Sequence, residues 1–265
     1  MKVLILNKKS ILKGILILCL AVAVLIAGIS FVPRVVATMT GNRELPIYKV
    51  DRQEKIASLS FDAAWGNEDT NQLIKILNQY HVKATFFVVG QWVDKYPESV
   101  KALSDAGNEV MNHSNTHPHM TKLSRDDMLK EINACDEKIS KITGKKPILF
   151  RAPYGDYSNA LIETLTQSKH YCIQWDVDSL DWKEIPAAKI QQRVLSKVKN
   201  GSIILFHNAA KYTPEALPGI LKSLQDQGYK LVPVSQLIYQ GSYTIDHAGT
   251  QHTSEAAQSS QGASS

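Results

Sequence analysis

Five short apolar runs, at residues 56–60, 109–111, 148–150, 171–175 and 203–206, each lead into a polar cluster. The clusters read SFD at 60–62, HSNTH at 113–117, RAPY at 151–154, DSLDW at 178–182 and LFH at 205–207. Runs this short and continuous fit strands buried on both faces, the usual condition of a parallel sheet. Strand and helix patterns alternate about seven times from Lys55 to Tyr239, with no Gly-rich phosphate loop. That alternation predicts an α/β fold, a distorted (β/α)7 barrel, rather than a dinucleotide-binding sheet. In such a barrel the residues just past the C-terminal strand ends converge on one face, where active sites are built. An acid, two histidines, an arginine, two more acids and a third histidine, all in that position, describe an enzyme.

The segments between the runs carry helix signals. Residues 69–80 place Leu73, Ile76, Leu77 and Tyr80 at helical spacing, and 84–89 follows as a strand. Pro97 opens a helix that Gly107 closes, the expected placement of both residues. Ser124 is a candidate N-cap, with Asp126 and Asp127 in the first turn, for a helix over 124–142 ending at Gly144. Further helices are expected at 159–168, 187–198 and 213–226, and a last strand at 230–234.

The chain ends differ from this pattern. Residues 14–32 form an uninterrupted uncharged stretch, long enough to span a bilayer as a helix. Lys2, Lys8, Lys9 and Lys13 make 1–13 a basic segment, so the positive-inside rule predicts a cytoplasmic N-terminus and an extracytoplasmic domain. The alternative is a secreted protein, cleaved after the run Val35, Val36 and Ala37; both routes export the domain. Residues 33–52, broken by Pro33, Gly41 and Pro46, read as a linker, 53–239 as the folded domain, and 240–265 as a disordered tail with almost no apolar content. The net charge of +5 includes the four leading lysines, and no basic block interleaves with aromatics. Nucleic acid is therefore not expected as a partner, and a tethered monomer is the default. Cys19 lies in the apolar stretch. Cys135 and Cys172 lack CxxC spacing and read as two buried free thiols, one disulfide being the alternative.

The clusters also suggest a chemistry. His113 and His117 are spaced so that a helix face or a tight loop would bring both imidazoles to one metal; otherwise they are surface histidines beside Pro118 and His119. Asp62 is either a salt-bridge partner on the barrel rim or a general base that Arg151 would hold ionised by a charge-assisted hydrogen bond. Asp181 would do the converse for His207, favouring the imidazolium and making it a proton donor. Two acid–base units tuned in opposite directions suit hydrolysis of an amide or ester. Trp182 and Leu205 would wall the pocket, and the Tyr154 backbone N–H would face an oxyanion.

Over roughly residues 53–239 these five ordered motifs resemble the polysaccharide deacetylases with a NodB-type chitooligosaccharide deacetylase domain, a carbohydrate esterase family. The variant SFDAAWG, with an N-terminal apolar segment, resembles the sporulation-associated PdaB-like subgroup. The resemblance implies a metal-dependent hydrolase of N-acetyl sugars, acting on a cell-wall polysaccharide such as peptidoglycan, with a divalent metal, usually zinc, as cofactor. It implies Asp62 as catalytic base, Arg151 as its orienting partner, and His113 and His117 as metal ligands. It further implies Tyr154 at the oxyanion, Asp181 and Trp182 as tuning acid and pocket aromatic, and Leu205 and His207 as pocket leucine and general acid. Where the family carries a third metal ligand, an aspartate, this chain has Ala63. Asp69, Glu68 or water would complete the site, or the metal would bind weakly, or the domain would bind glycan without catalysis. Asp69 also reads as an ordinary first-turn helix acid. Another amide or ester substrate, such as an O-acetylated glycan, is a third reading. Phe206 and Asn208 read as core and rim positions, and Trp65 either covers the site or packs under its loop. His81, His170, His247 and His252 are expected at the surface.

Overall fold

The computed structural model describes residues 43–254; the segments 1–13 and 14–32, most of the expected linker and the end of the tail lie outside the described residues. Among the described residues no helix is long and apolar enough to cross a membrane. A two-residue strand, β1 (Lys49–Val50), precedes the central strand β2 (Ile56–Ala63). In β2 the residues Ala57, Leu59, Phe61 and Ala63 are buried, and so are Ser58, Ser60 and Asp62 between them. A strand covered on both faces belongs in the middle of a parallel sheet. It pairs in parallel with β3 (Thr85–Val88) on one side; β4 (Glu109–Asn112), β5 (Leu149–Phe150) and β6 (Tyr171–Cys172) continue outward from there. On the other side lie β8 (Ile203–His207) and then β7 (Val177–Asp178), while β9 (Lys230–Leu231) pairs with the start of β2.

Of the eight helices described, six follow the expected segments; those at 90–95 and 234–237 are unexpected, and the last strand, expected over 230–234, ends at Leu231. The helices are α1 (Thr70–Gln79), α2 (Gly90–Lys95), α3 (Pro97–Asp105), α4 (Arg125–Thr143), α5 (Asn159–Gln167), α6 (Ala187–Leu195), α7 (Thr213–Asp226) and the short α8 (Val234–Leu237). Ser124 caps α4 by accepting from the Asp127 N–H, and Gly144 closes it in the left-handed conformation. The apolar face of β2 packs under the helices, where Phe61 stacks between Phe86 (4.7 Å) and Phe206 (5.4 Å).

The sheet is a curled half-barrel rather than a closed ring, since β6 and β7, its two edges, do not pair. The run at 171–175 forms a strand only at its start, because the next backbone groups are taken by another segment. The Ile47 N–H donates to the Cys172 carbonyl (2.9 Å) and the Gln174 N–H to the Ile47 carbonyl (2.7 Å). The same segment reaches the turn before β8, where the Val50 N–H donates to Gly201 O (2.9 Å). Gly201 has φ 78°, and a Cβ there would lie 1.7 Å from the Val50 carbonyl oxygen, so only glycine lets this strap pass.

The expectation of a linker over 33–52 and a disordered tail over 240–265 needs correction where the chain is described. β10 (Tyr243–Ile245) and β11 (Thr250–Thr253) form an antiparallel hairpin, and β11 pairs in parallel with β1. Polar contacts order this hairpin, which is why composition hid it. Gln251 is fully buried; its side chain accepts from the Tyr239 N–H and donates to the Tyr239 carbonyl, both at 2.8 Å. His170 also departs from expectation. It is buried, with Nε2 3.1 Å from Asp136 on α4, a partner too distant in sequence to anticipate. Cys135 and Cys172 are free and buried, as expected.

His252 sits between Asp51 (3.0 Å) and Asp246 (3.2 Å), clamping the hairpin to the strap. The hydrogen bonds it donates to the Asp246 and Asp51 carboxylates raise its pKa above the ordinary imidazole value. Asp246 moves the other way: its modest burial works against ionisation, but hydrogen bonds from the Thr250 and Ala248 N–H groups and from His252 outweigh it and hold the carboxyl low. A group with a raised folded pKa stabilises fully below its unfolded value, about 6.5 for histidine, and loses that contribution as pH rises through the folded value. The carboxylate contribution is present above its unfolded value, about 3.9, and is lost on acidification. Amide hydrogen exchange, corrected for intrinsic rates, should therefore show β11 best protected between about pH 4 and 6.5, with protection falling on the alkaline side. His252→Ala should flatten the alkaline limb and leave exchange in β2 and β3 unchanged.

Candidate active site

Strand register sets the geometry. On the face opposite Phe61, Asp62 of β2 is the direct neighbour of His207 on β8, and adjacent strands lie about 4.8 Å apart. Asn112 pairs with Phe150, so the residues that follow, His113 and Arg151, leave their strands side by side. His113 Nδ1 lies 2.7 Å from the Arg151 carbonyl. A carbonyl only accepts, so Nδ1 carries the proton and Nε2 keeps its lone pair.

Arg151 is fully buried under Asp62. Its guanidinium donates to Asp62 Oδ1 (2.7 Å), Ser60 Oγ (2.8 Å) and the Gln174 carbonyl (3.1 Å), and stacks 4.1 Å over Phe87. Burial pushes the Asp62 carboxyl up, but the charge of Arg151, aided by His113 and His207, outweighs it and holds Asp62 below its usual range. Asp62 Oδ2 lies 3.6 Å from His113 Nε2. Burial lowers His113, so this is an approach of carboxylate to neutral imidazole rather than an ion pair.

His207 is tuned the opposite way. Burial lowers it, but the hydrogen bond and charge of Asp181 prevail and raise it. Asp181 Oδ1 accepts from His207 Nδ1 (2.8 Å) and the Trp182 N–H (2.9 Å); Oδ2 accepts from the His207 N–H (2.8 Å) and the Thr213 hydroxyl (2.7 Å). A fully buried carboxylate with four donors is well satisfied. It is presented by a tight turn, Asp181–Lys183, flanked by Leu180 and Glu184 in left-handed conformations.

These groups face a cavity of about 410 Å³ lined by Asp62, His113, His117, Tyr154, Trp182, Leu205 and His207. Trp65 and Trp175 add to its wall. The structure thus gathers the singled-out residues: seven line the cavity, while Arg151 and Asp181 support it from behind. Trp65 is 56% exposed with its ring 6.0 Å from His117, so it stands over the site rather than under the loop. Tyr154, at φ 60°, packs its ring on His117 (4.6 Å) and His119 (4.3 Å).

The two histidines are suited to hold a cation. Burial and the neighbouring His113 lower His117 to about 4, and neutral imidazole is the ligating form. Ala63 offers no donor: it is fully buried in the core on the side of Leu59 and Phe61. Glu68 and Asp69 do not complete the site, for among the described residues no three His, Cys, Asp or Glu side chains form a metal cluster. Asp69 instead precedes α1, accepts from the Ala209 N–H (3.0 Å) and lines a different cavity. The residues present fit a cation held by two protein nitrogens.

Sequence reasoning missed three supports. Ser60 bridges Arg151 to the Ile204 carbonyl (2.8 Å), and Thr213 completes the shell of Asp181. Asn208 is more than a rim residue. Its N–H donates to Asp62 O (3.1 Å), its side chain accepts from the Ala64 N–H (3.3 Å), and its amide donates to Trp65 O and Gly66 O, both at 2.6 Å. Its position directly after His207 was the one available signal.

Residues 49–173 match the family described as polysaccharide deacetylase. The peptidoglycan-N-acetylmuramic acid deacetylase PdaC of Bacillus subtilis is 42% identical over 188 residues, 71% of this chain but only 40% of that protein's length. The peptidoglycan-N-acetylglucosamine deacetylase of Bacillus cereus is 30% identical over 184 residues, 68% of this chain and 67% of its own. A solved CE4 family pseudoenzyme from Bacillus anthracis aligns with a TM-score of 0.71 at 35% identity, over 72% of this chain and 68% of that one. The chain belongs to the polysaccharide deacetylase family.

Removing one partner of the Arg151–Asp62 pair leaves the other charge buried, at a cost of roughly 3–5 kcal/mol. Arg151→Met should lower unfolding free energy by about that much, measured by urea denaturation, and Asp62→Asn by a comparable amount. The double variant should recover much of the loss.

Proposed function

We propose that the chain is a hydrolase that removes N-acetyl groups from cell-wall glycan, with N-acetylglucosamine or N-acetylmuramic acid units of peptidoglycan as substrate. The observation that carries this reading is an ionised carboxylate and a raised-pKa imidazole on adjacent strands of one cleft. Relatives named as peptidoglycan deacetylases support the glycan class.

In this reading Asp62 takes the proton of the attacking water, and Arg151 keeps it ionised and aimed. His207, protonated through Asp181, delivers a proton to the leaving sugar amine. The Tyr154 N–H stabilises the oxygen that gains charge, and Trp182 and Leu205 enclose the acetyl methyl. His113 and His117 would hold a divalent metal, zinc being the expected one, which when bound supplies Lewis-acid polarisation of the acetyl carbonyl. With Ala63 in the third position, that metal is held more weakly than by three protein ligands.

The setting is part of the proposal: an exported monomer, tethered through residues 14–32 or secreted after cleavage near Ala37, acting on the wall in sporulation. The apolar run, its preceding lysines and the SFDAAWG motif support it. A second reading, a glycan-binding pseudoenzyme, is favoured by Ala63 and by the Bacillus anthracis relative named a pseudoenzyme. The tuned acid and base favour catalysis, because binding alone requires neither.

The test is acetate release from peptidoglycan fragments and chitooligosaccharides, metal-stripped and with added zinc, cobalt or manganese. Release should depend on metal, and Asp62→Asn and His207→Ala should each lower kcat by about 10²–10⁴. His113→Ala should abolish the metal response. Binding of these glycans without acetate release under any metal would establish the pseudoenzyme instead. The pH–rate profile should be broad. Its acid limb should fall below about 3.9, since Asp62 is depressed, and its alkaline limb above about 6.5, since His207 is raised.

A further inference from the structure

The loop that carries His113 and His117 is held from outside the cleft. His113 directly follows β4, and its Nδ1–H donates to the Arg151 carbonyl (2.7 Å), which fixes the ring. His117, at the far end of the loop, has φ 61°, and among the described residues no hydrogen bond holds its ring. Where the second imidazole stands therefore depends on the loop backbone. Ser114 is left-handed too, at φ 66°. Such backbone persists only where surrounding bonds over-determine it.

Those bonds come chiefly from α4. The Glu131 carboxylate accepts on Oε2 from the Asn115 N–H and the Thr116 N–H, both at 2.8 Å, and on Oε1 from the Thr116 hydroxyl (2.8 Å). Two successive N–H groups converging on one oxygen form a nest. Farther along the helix, the Ile132 carbonyl and Asp136 Oδ1 accept from the Asn112 amide, both at 2.8 Å, and Asn112 Oδ1 accepts the Ser114 N–H (2.7 Å). Lys138 donates to Asn115 Oδ1 (2.7 Å). On the other side the N–H groups of Gly90 and Gln91, at the start of α2, donate to the Ser114 and Asn115 carbonyls, both at 2.9 Å. Without Glu131, the two N–H groups in the middle of the loop lose their acceptor.

We infer that Glu131 is a positioning residue for the metal pair: by pinning Asn115 and Thr116 it sets where His117 stands relative to His113, the two ring centroids being 5.0 Å apart. The inference rests on the reading of His113 and His117 as ligands of a divalent cation, and adds the residue that makes them a pair before the cation arrives. A site preformed in this way loses less of its binding free energy to ordering. That counts for more here than with three protein ligands, because Ala63 leaves two nitrogens to hold the ion. Glu131 bonds to the loop and to neither imidazole, so its effect passes through the backbone.

Calorimetric titration of the full chain with zinc, and with cobalt followed by its visible absorption, tests the assignment, with His113→Ala as the baseline for binding elsewhere. Glu131→Ala should weaken metal binding by about 10–100-fold, the usual worth of an outer support, and shift the cobalt band. It should also speed amide exchange at Asn115 and Thr116 in the metal-free chain. Glu131→Gln, whose amide oxygen accepts the same two N–H groups, should recover part of the affinity. Glu137→Ala removes the same charge from an exposed position on α4 and should leave affinity unchanged. Melting temperatures fix the range in which every variant is folded, and the Glu131→Ala loss should persist there. Unchanged affinity or loop exchange in Glu131→Ala, or an equal loss in Glu131→Gln or Glu137→Ala, overturns the positioning role and leaves the metal reading intact. A native chain that binds no metal above the His113→Ala baseline overturns both. Metal binding that depends on Glu131, without acetate release, keeps the positioning role and overturns the deacetylase reading.

Discussion

The guanidinium of Arg151, sealed inside the half-barrel, is the contact on which the site depends. An ionised carboxylate buried alone would cost several kcal/mol and would take up a proton instead. Arg151 removes that outcome for Asp62, and its other donors tie the pair to β2 through Ser60 and to the segment after β6 through Gln174. Asp181 and His207 form a second pair of the same kind, with the signs exchanged: here the carboxylate supports and the cation faces the cleft. Each pair is close to neutral as a unit, which is why two of them can occupy one half-buried cavity. Register on β2 and β8 then places the exposed member of each beside the other.

The backbone around the cleft holds a concentration of uncommon conformations. Ser114, His117, Tyr154, Leu180, Glu184 and Ala209 all have positive φ and all follow the C-terminal ends of strands, whereas His81 and Lys169 lie after helices. Left-handed non-glycine residues persist where surrounding bonds over-determine them. The bonds are visible here: His117 N–H to Ser114 Oγ (3.0 Å), Leu180 N–H to Asp178 Oδ1 (2.8 Å), Ala209 N–H to Asp69 Oδ2 (3.0 Å). Sharp turns let each strand deliver a side chain into the cleft rather than continue past it.

Much of this could be read from the chain alone, and the reason is local. Buried strands write themselves as short apolar runs, and α7 begins and ends where the sequence places it, at Thr213 and Asp226. The clusters after those runs named the cavity wall because barrel geometry brings strand ends together whatever the sequence between them. What stayed hidden depends on pairings between distant residues. Nothing near His170 announces Asp136, nothing near Gln251 announces Tyr239, and Asn208 looks ordinary until its bonds to Trp65 and Gly66 are seen. The open edge between β6 and β7 was equally invisible, since it depends on Ile47 taking the backbone groups of Cys172 and Gln174.

The pairing of β1 with β11 bears on how such a domain can be built into longer chains. Lys49 lies directly beside Thr250, so the path into the domain and the path out of it are about one strand spacing apart, and the last residue of β11 is only ~10 Å further along. Because the two strands run parallel, the chain enters this seam at one end and leaves it at the other, so segments joined on either side would depart in opposite directions. PdaC, of which this chain matches 40%, has length for such further segments. The hairpin that composition alone would assign to slack is, in these terms, what fixes where the chain leaves the fold.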